Sequence, residues 1–455
     1  MIRPPHPGWQ PALGFRVGAT LLTAVTTLVV PTCAVAQSER LLEAEVGAGQ
    51  QAEDSLLEAR LSLIAADEFR GTPVRAVVQL PLRFELLDAA PRDDEIVRSE
   101  DWDDPGDFFR IARLLEYGRP HLPLHARFGE VGGLVLGHGT IVNGYNNNVV
   151  LGDFSPGAQL AANTAYGGIQ TALDDVTAPH LFALRGYVRP WGFGDRESFG
   201  QRFSVGVSAA SDFGAPAILR ECPGCEVGFL SEPAVEERSP VTIAGLDVDL
   251  SLVDDGRWRI LPYADLNVGL GTGGHAGVSV ALLATDSLEL ALRAEGRLFG
   301  GAYIPDYFGP IYEVERFRTT GWAAPIAAPK ARVAASRSGT HTGGFGQLSL
   351  DWRNVGSLAI AAAEHDGDQD TSAWVRLSVT PPGPIVFGAY VLRVNADPDT
   401  LLDLDGLLVV TESRVTLWGP LFLHGRVHRL WTLSVGREYR PATDWSAGAG
   451  ASFPL

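Results

Sequence analysis

Residues 445–453, WSAGAGASF, decide the fold. Trp445, Ala447, Ala449, Ala451 and Phe453 fall on one side of an extended chain, and Ser446, Gly448, Gly450 and Ser452 on the other. Successive side chains of a strand point to opposite faces, so this is a strand with one apolar and one small polar face. An aromatic stands at each end of the apolar face, where a membrane-spanning strand meets its two interfaces.

The same period of two runs back through the chain. Leu57, Ala59, Leu61 and Leu63 alternate with Glu58, Arg60 and Ser62. Leu246, Val248, Leu250 and Leu252 alternate with Asp247, Asp249 and Ser251, and Leu288, Leu290 and Leu292 with Glu289, Ala291 and Arg293. Such segments are mostly longer than the ~5–6 residues usual in soluble sheets and approach the ~9–11 of a transmembrane strand. Short links at 163–167, 285–287 and 419–420 interleave with long ones near 89–107, 212–240 and 300–342. Short turns on one rim and long loops on the other are the pattern of a barrel. The expected fold is all-β: a transmembrane antiparallel up-and-down β-barrel of about 16 strands (14–18) with long extracellular loops.

The terminal strand resembles that of Gram-negative outer-membrane β-barrel proteins of the porin-like class, here followed by Pro454 and Leu455. That resemblance implies a place in the cell outer membrane, with lipid and lipopolysaccharide as neighbours. It also implies Trp445 and Phe453 as the insertion signal read by the barrel-insertion machinery.

Composition agrees. With 45% apolar residues among 455, the chain has ample material for a core, which excludes disorder. Its net charge of −18 argues against nucleic acid, whose phosphates need a basic surface. After residue 36 no uncharged apolar run reaches the ~18 residues of a spanning helix. Residues 1–36 read as a cleaved signal peptide: Arg3 and Arg16 precede the uncharged stretch 17–30, and Ala34 and Ala36 stand at −3 and −1, leaving Gln37 as the new first residue. Residues 37–54 are expected as a short periplasmic segment and 55–455 as the barrel. Of the three cysteines, Cys222 and Cys225 remain after cleavage, and in an exported protein they read as a loop disulfide.

The chemistry-bearing candidates are the charges on lumenal faces: Glu289, Arg293, Glu295 and Arg297 on one strand, with Arg376, Arg393, Arg426 and His428 on others. Opposed charges either restrict an open pore or pair off in a packed lumen. The segment 300–344, rich in aromatics, either folds inward as a constriction or caps the outside. The motif 136–148, LGHGTIVNGYNNN, has no evident assignment. His138 with Asn143, His341 with Ser336 and Ser338, and His365 with Asp366 lie near one another in sequence, but no GxSxG or HExxH motif accompanies them. Asp366, Asp368 and Asp370 alternate like a calcium loop but lack its Gly and Glu positions. The resulting expectation is a passive channel for small polar solutes, with no enzymatic activity, cofactor or metal. The alternatives are a non-conducting binding or structural barrel and, third, a barrel enzyme.

Overall fold

The computed structural model describes residues 39–51, 54–87, 97–98, 101–102, 105–120, 122–150, 154–191, 202–219, 235–319, 327–353, 355–366, 371–380, 383–396, 406–433 and 439–455. The signal segment 1–36, Cys222, Cys225, Asp368 and Asp370 lie outside the described residues.

The wall begins with three long strands, β1 (Glu39–Gln51), β2 (Asp54–Phe69) and β3 (Thr72–Leu87). Short strands follow, β4 (Leu114–Tyr117) and β5 (Leu124–Gly129). A hairpin that leaves the wall comes next, β6 (Leu134–Val135) and β7 (Asn143–Tyr145). The wall resumes as β8 (Gly157–Asn163), β9 (Gly167–Leu173), β10 (Leu181–Val188) and β11 (Phe203–Asp212). Beyond a second detached hairpin, β12 (Pro216–Leu219) and β13 (Val235–Arg238), come β14 (Val241–Leu250), β15 (Val253–Asp254), β16 (Trp258–Val268), β17 (Gly271–Thr285) and β18 (Leu288–Gly301). The next segment carries helix α1 (Tyr312–Glu315), the pair β19 (Phe317–Thr319) and β20 (Ala327–Pro329), and helix α2 (Lys330–Ala335). The circuit ends with β21 (Thr340–Trp352), β22 (Gly356–His365), β23 (Thr371–Val379), β24 (Ile385–Ala396), β25 (Leu408–Trp418), β26 (Leu421–Leu433) and β27 (Tyr439–Pro454).

Sequential antiparallel pairing runs all the way round, and β1 pairs with β27, setting Leu42 against Phe453 and Gln50 against Trp445. The sheet therefore closes and has no edge, which is what a sheet in hydrocarbon requires. Of the 21 strands in the sheet, β15 continues β14 along β16, so the barrel has 20 staves. This corrects the expected count of about 16. Part of the excess is β1, which occupies the stretch expected as a periplasmic segment. Its outward residues include Ala44 and Ala48 beside Leu42 and Val46, too small for a clear alternation. Part is β4 and β5, whose four and six residues fall well short of the ~9–11 that mark a spanning strand.

Many of the links sort by rim in the chain path, although the two-residue turn at 269–270 lies on the rim of the longer ones. Both ends of the described chain and the turns at Arg70–Gly71, 164–166, 255–257, 286–287 and 419–420 share one rim. The chain leaves β3, β5, β11 and β18 for its longer links at the other. Outward positions of the staves carry bare aliphatics around the whole circuit, among them Val46, Leu61, Leu80, Leu160, Val207, Leu246, Leu266, Leu292, Leu348, Ile360 and Leu423. A water-soluble monomer does not expose an apolar surface of this extent, whereas a lipid-facing belt does. At the short-turn rim stand exposed Phe69, Tyr166, Trp191, Trp258, Trp352, Trp418 and Phe453, an aromatic girdle of the interfacial kind. Trp445 faces outward as well, but β27 starts at Tyr439, so Trp445 lies within the strand and not at its end. Among the described residues no helix is long and apolar enough to cross a membrane.

Candidate functional site: a plugged, charged lumen

Two of the long links fold inward and meet. Asn143 N–H donates to Phe308 O at 3.1 Å and Phe308 N–H to Ile141 O at 3.1 Å, forming a parallel bridge between Val142 and Phe308. Asp306 N–H adds a bond to Thr140 O at 3.1 Å. The joined segments bury Tyr145, Tyr303, Tyr307, Phe308 and Tyr312 against wall residues such as Ala183, Ala210, Ile243 and Phe299. Each aromatic buries on the order of 150–250 Å², enough to hold an inward loop as a fixed plug. Of the two paths open to segment 300–344, its described part takes the inward one; Trp322 lies outside the described residues.

The motif 136–148 is this plug's other half. Gly137 and Gly139 have φ of +59° and +76°, which turns the chain tightly enough to present His138 at the tip. The asparagines satisfy backbone groups that no ladder reaches. Asn147 accepts from Val131 N–H at 2.8 Å and donates to the carbonyls of Ser155 at 2.7 Å and Asp174 at 2.8 Å. Asn146 donates to Pro310 O at 2.8 Å, tying the two segments together again.

The plug is bonded to the wall through an ionic hub on β16–β18. Glu295, whose side chain is 0% exposed, accepts from Arg297 Nε at 2.7 Å, Arg293 Nη2 at 2.5 Å and the Tyr263 hydroxyl at 2.6 Å, and lies 2.9 Å from His275 Nδ1. Arg297 Nη2 also donates to Asp306 Oδ2 at 2.9 Å, and His275 Nε2 lies 2.8 Å from the Tyr303 hydroxyl. Asp306 and Tyr303 belong to the plug, so the hub joins it to the wall. Tyr303 and Tyr263 lie flat where the wall carries no side chain: a Cβ on Gly273 would stand 2.2 Å from the Tyr303 ring, and one on Gly277 2.6 Å from Tyr263.

The other lumenal candidates lie apart from this hub. Glu289 shares the inward face of β18, half-buried and nearer the short-turn rim. Arg376 stands opposite Tyr390, and Arg393 is buried beside Gly406. Arg426 Nε contacts Glu412 Oε1 at 2.5 Å, and His428 Nδ1 lies 2.9 Å from Val149 O on the plug. Arg426 and His428 border a cavity of about 150 Å³ walled by β2, β3, β25 and β26, which also receives Arg60, Arg83, Arg110 and Arg113. A second cavity of about 160 Å³, lined by Asp174, Arg238, Glu313 and Arg316, shares Asn148 and Val150 with the first. Residues 147–150 thus partition two charged spaces. His341 contacts the carbonyls of Ser338 and Asp366, and the Ser336 hydroxyl donates to Val333 O.

Asp174, at the wall of the second cavity, is pushed up to about 8 by burial and by the Glu313 carboxylate. Its folded value lies above the ~4 of an unfolded aspartate, so the protonated form favours the fold. That contribution is complete below pH about 4 and is lost as pH rises through 8. Guanidinium midpoints in detergent should therefore fall between pH 5 and 9 in the parent and fall less in Asp174→Asn. Equal pH profiles for the two proteins would refute the assignment.

No family profile and no curated protein matches this sequence. Among solved structures the chain is similar to OccK11 (OpdR) of Pseudomonas aeruginosa, at 11% identity over 92% of this chain and 98% of that one, with a TM-score of 0.33. It is similar to OccAB2 of Acinetobacter baumannii at 9% identity, over 92% and 98%, with a TM-score of 0.33. It is also similar to Wzi, a carbohydrate-binding β-barrel involved in group 1 capsule assembly in Escherichia coli, at 10% identity over 92% and 85%, with a TM-score of 0.32. The barrel itself rests on the closed pairing of β1 with β27.

Proposed function

We propose that this barrel is a passive outer-membrane channel for small polar solutes, its short-turn rim periplasmic and its long loops outside. The observation that supports this most directly is the pair of charged cavities flanking residues 147–150. Barrels of 16–18 strands leave an aqueous lumen, and the wall here is wider still. Selection would come from the charge of those walls and from the constriction at Asn148 and Val150, with no cofactor and no chemical step. Export by residues 1–36, a Cys222–Cys225 disulfide, and insertion through the barrel machinery into lipid and lipopolysaccharide belong to the same proposal.

The test is single-channel recording of the purified mature protein in a planar bilayer. Discrete steps are expected. Removing one lumenal cation in Arg426→Ala should shift selectivity towards cations by several-fold, since a unit charge at ~4 Å in water is worth about 1 kcal/mol. Inserted protein that gives no steps would overturn the channel. It would favour the second reading, a non-conducting binding or structural barrel, which the aromatic core shared by the two inward segments supports.

A further inference from the structure

The tip of the plug meets an acidic stripe on the wall, at spacings longer than those of good hydrogen bonds. His138 Nε2 lies 3.4 Å from Asp249 Oδ2 and 3.7 Å from Asp247 Oδ1, and all three ligand atoms fall within 4.8 Å of one another. The imidazole side chain is only 8% exposed, and Nε2 is buried with no hydrogen-bond partner among the described residues. We propose that His138, Asp247 and Asp249 bind a divalent cation of the zinc class, which fastens the plug to the barrel wall.

Three observations carry this. First, ligands at ~2.0–2.1 Å in a tetrahedron stand about 3.4 Å apart, close to the spacings found and longer than a good hydrogen bond. A neutral imidazole nitrogen with two carboxylate oxygens is a donor set that suits zinc, and the fourth position remains for water. Second, the ligands are held from behind. Ser204 Oγ–H donates to Asp249 Oδ2 at 3.0 Å, and Arg185 grips Asp247 through Nε at 3.0 Å and Nη2 at 2.5 Å. His138 stacks on Tyr263 at 4.3 Å, the planes 9° apart. Such outer contacts orient ligands in metal sites. Third, the local charge is unbalanced. Asp265, the register partner of Asp247, is another buried carboxylate, and its Oδ2 has no hydrogen-bond partner among the described residues. Three carboxylates against Arg185 leave −3 + 1 = −2, which one divalent cation neutralises. The neighbouring hub adds nothing to this balance, because Arg293 and Arg297 offset Glu295 and Asp306.

The test uses the full mature barrel in detergent, stripped with chelator and titrated with Co²⁺, whose visible absorption is intense only in tetrahedral sites. One equivalent should give that band, and Zn²⁺ should displace it. His138→Ala and Asp249→Asn should weaken binding by about 100-fold or more, the upper end of what loss of an outer partner costs, and Ser204→Ala by about tenfold. His341→Ala, outside the cluster, should leave the titration unchanged. Should His138→Ala fail to insert, protection of His138 from diethyl pyrocarbonate by Zn²⁺ in the unaltered protein decides the matter. Absence of a band together with absence of protection overturns the site, and leaves His138 as a plain side-chain neighbour of Asp249. A band that survives Asp249→Asn overturns it as well.

Discussion

Glu295→Ala should loosen the plug and destabilise the barrel by about 3–5 kcal/mol, the usual cost of leaving a buried charge without its partner. Glu295 satisfies two guanidinium groups, a phenol and an imidazole at once. Without it Arg293 keeps the Tyr263 hydroxyl and the face of the Phe345 ring, and Arg297 keeps Asp306 and the same ring. Two positive charges would then face each other in a buried space with one carboxylate between them. Either water enters or Arg293 swings away, and both outcomes free the Tyr303 side of the plug. Glu295→Gln keeps the volume and one acceptor, so its loss should be smaller. The measurement is the guanidinium midpoint of heat-modifiable folded protein, alongside bilayer recording. On the channel reading, Glu295→Ala should give larger and noisier steps than the parent. A variant as stable as the parent, with unchanged steps, would show that the plug is held by its aromatic core alone.

The hub also shows where the sequence stops being legible. Alternation along β18 assigns Glu289, Arg293, Glu295 and Arg297 to one face, because the period of a strand is local. What those side chains meet is not local. Asp306 and Tyr303 reach them only because 302–319 turns inward, and Thr140 meets the Tyr303 hydroxyl from a different link. No periodicity encodes a path across a lumen. The aromatics of 300–344 leave two directions open in sequence, and packing on Val131, Ile141 and Val142 selects one. His138 behaves similarly. Its sequence neighbour Asn143 draws attention, while its partner in space, Asp249, reads in sequence as one polar position among several on β14. Strand number was obscured for the opposite reason. β4 and β5 are short and lie between long links, so neither presents enough residues to display a period.

Leu292→Arg should destabilise the inserted barrel by about 2–4 kcal/mol, the cost of a cation on the lipid face near mid-membrane. Leu292 is the fifth of the 14 residues of β18, 49% exposed, between inward-facing Ala291 and Arg293. Its register partners are Val280 on β17 and Leu348 on β21, so a guanidinium there has apolar neighbours on both sides. Snorkelling to an interface would have to cover about half the apolar thickness, roughly 12 Å, more than an arginine side chain extends. The neighbouring position gives the contrast. Arg293, one residue along, is already an arginine and is accommodated because alternation turns it to Glu295 and Tyr263. Moving a positive charge by one residue therefore moves it from a paired lumen to lipid. A second variant, Trp352→Arg at the short-turn rim, should cost about 1 kcal/mol or less, because interfacial depth is far more tolerant. Unfolding midpoints of the three proteins in lipid bilayers, ranked parent, Trp352→Arg, Leu292→Arg, would establish both the face and the depth. A Leu292→Arg protein as stable as the parent would mean that this belt faces water or another protein, and the transmembrane placement would have to be abandoned.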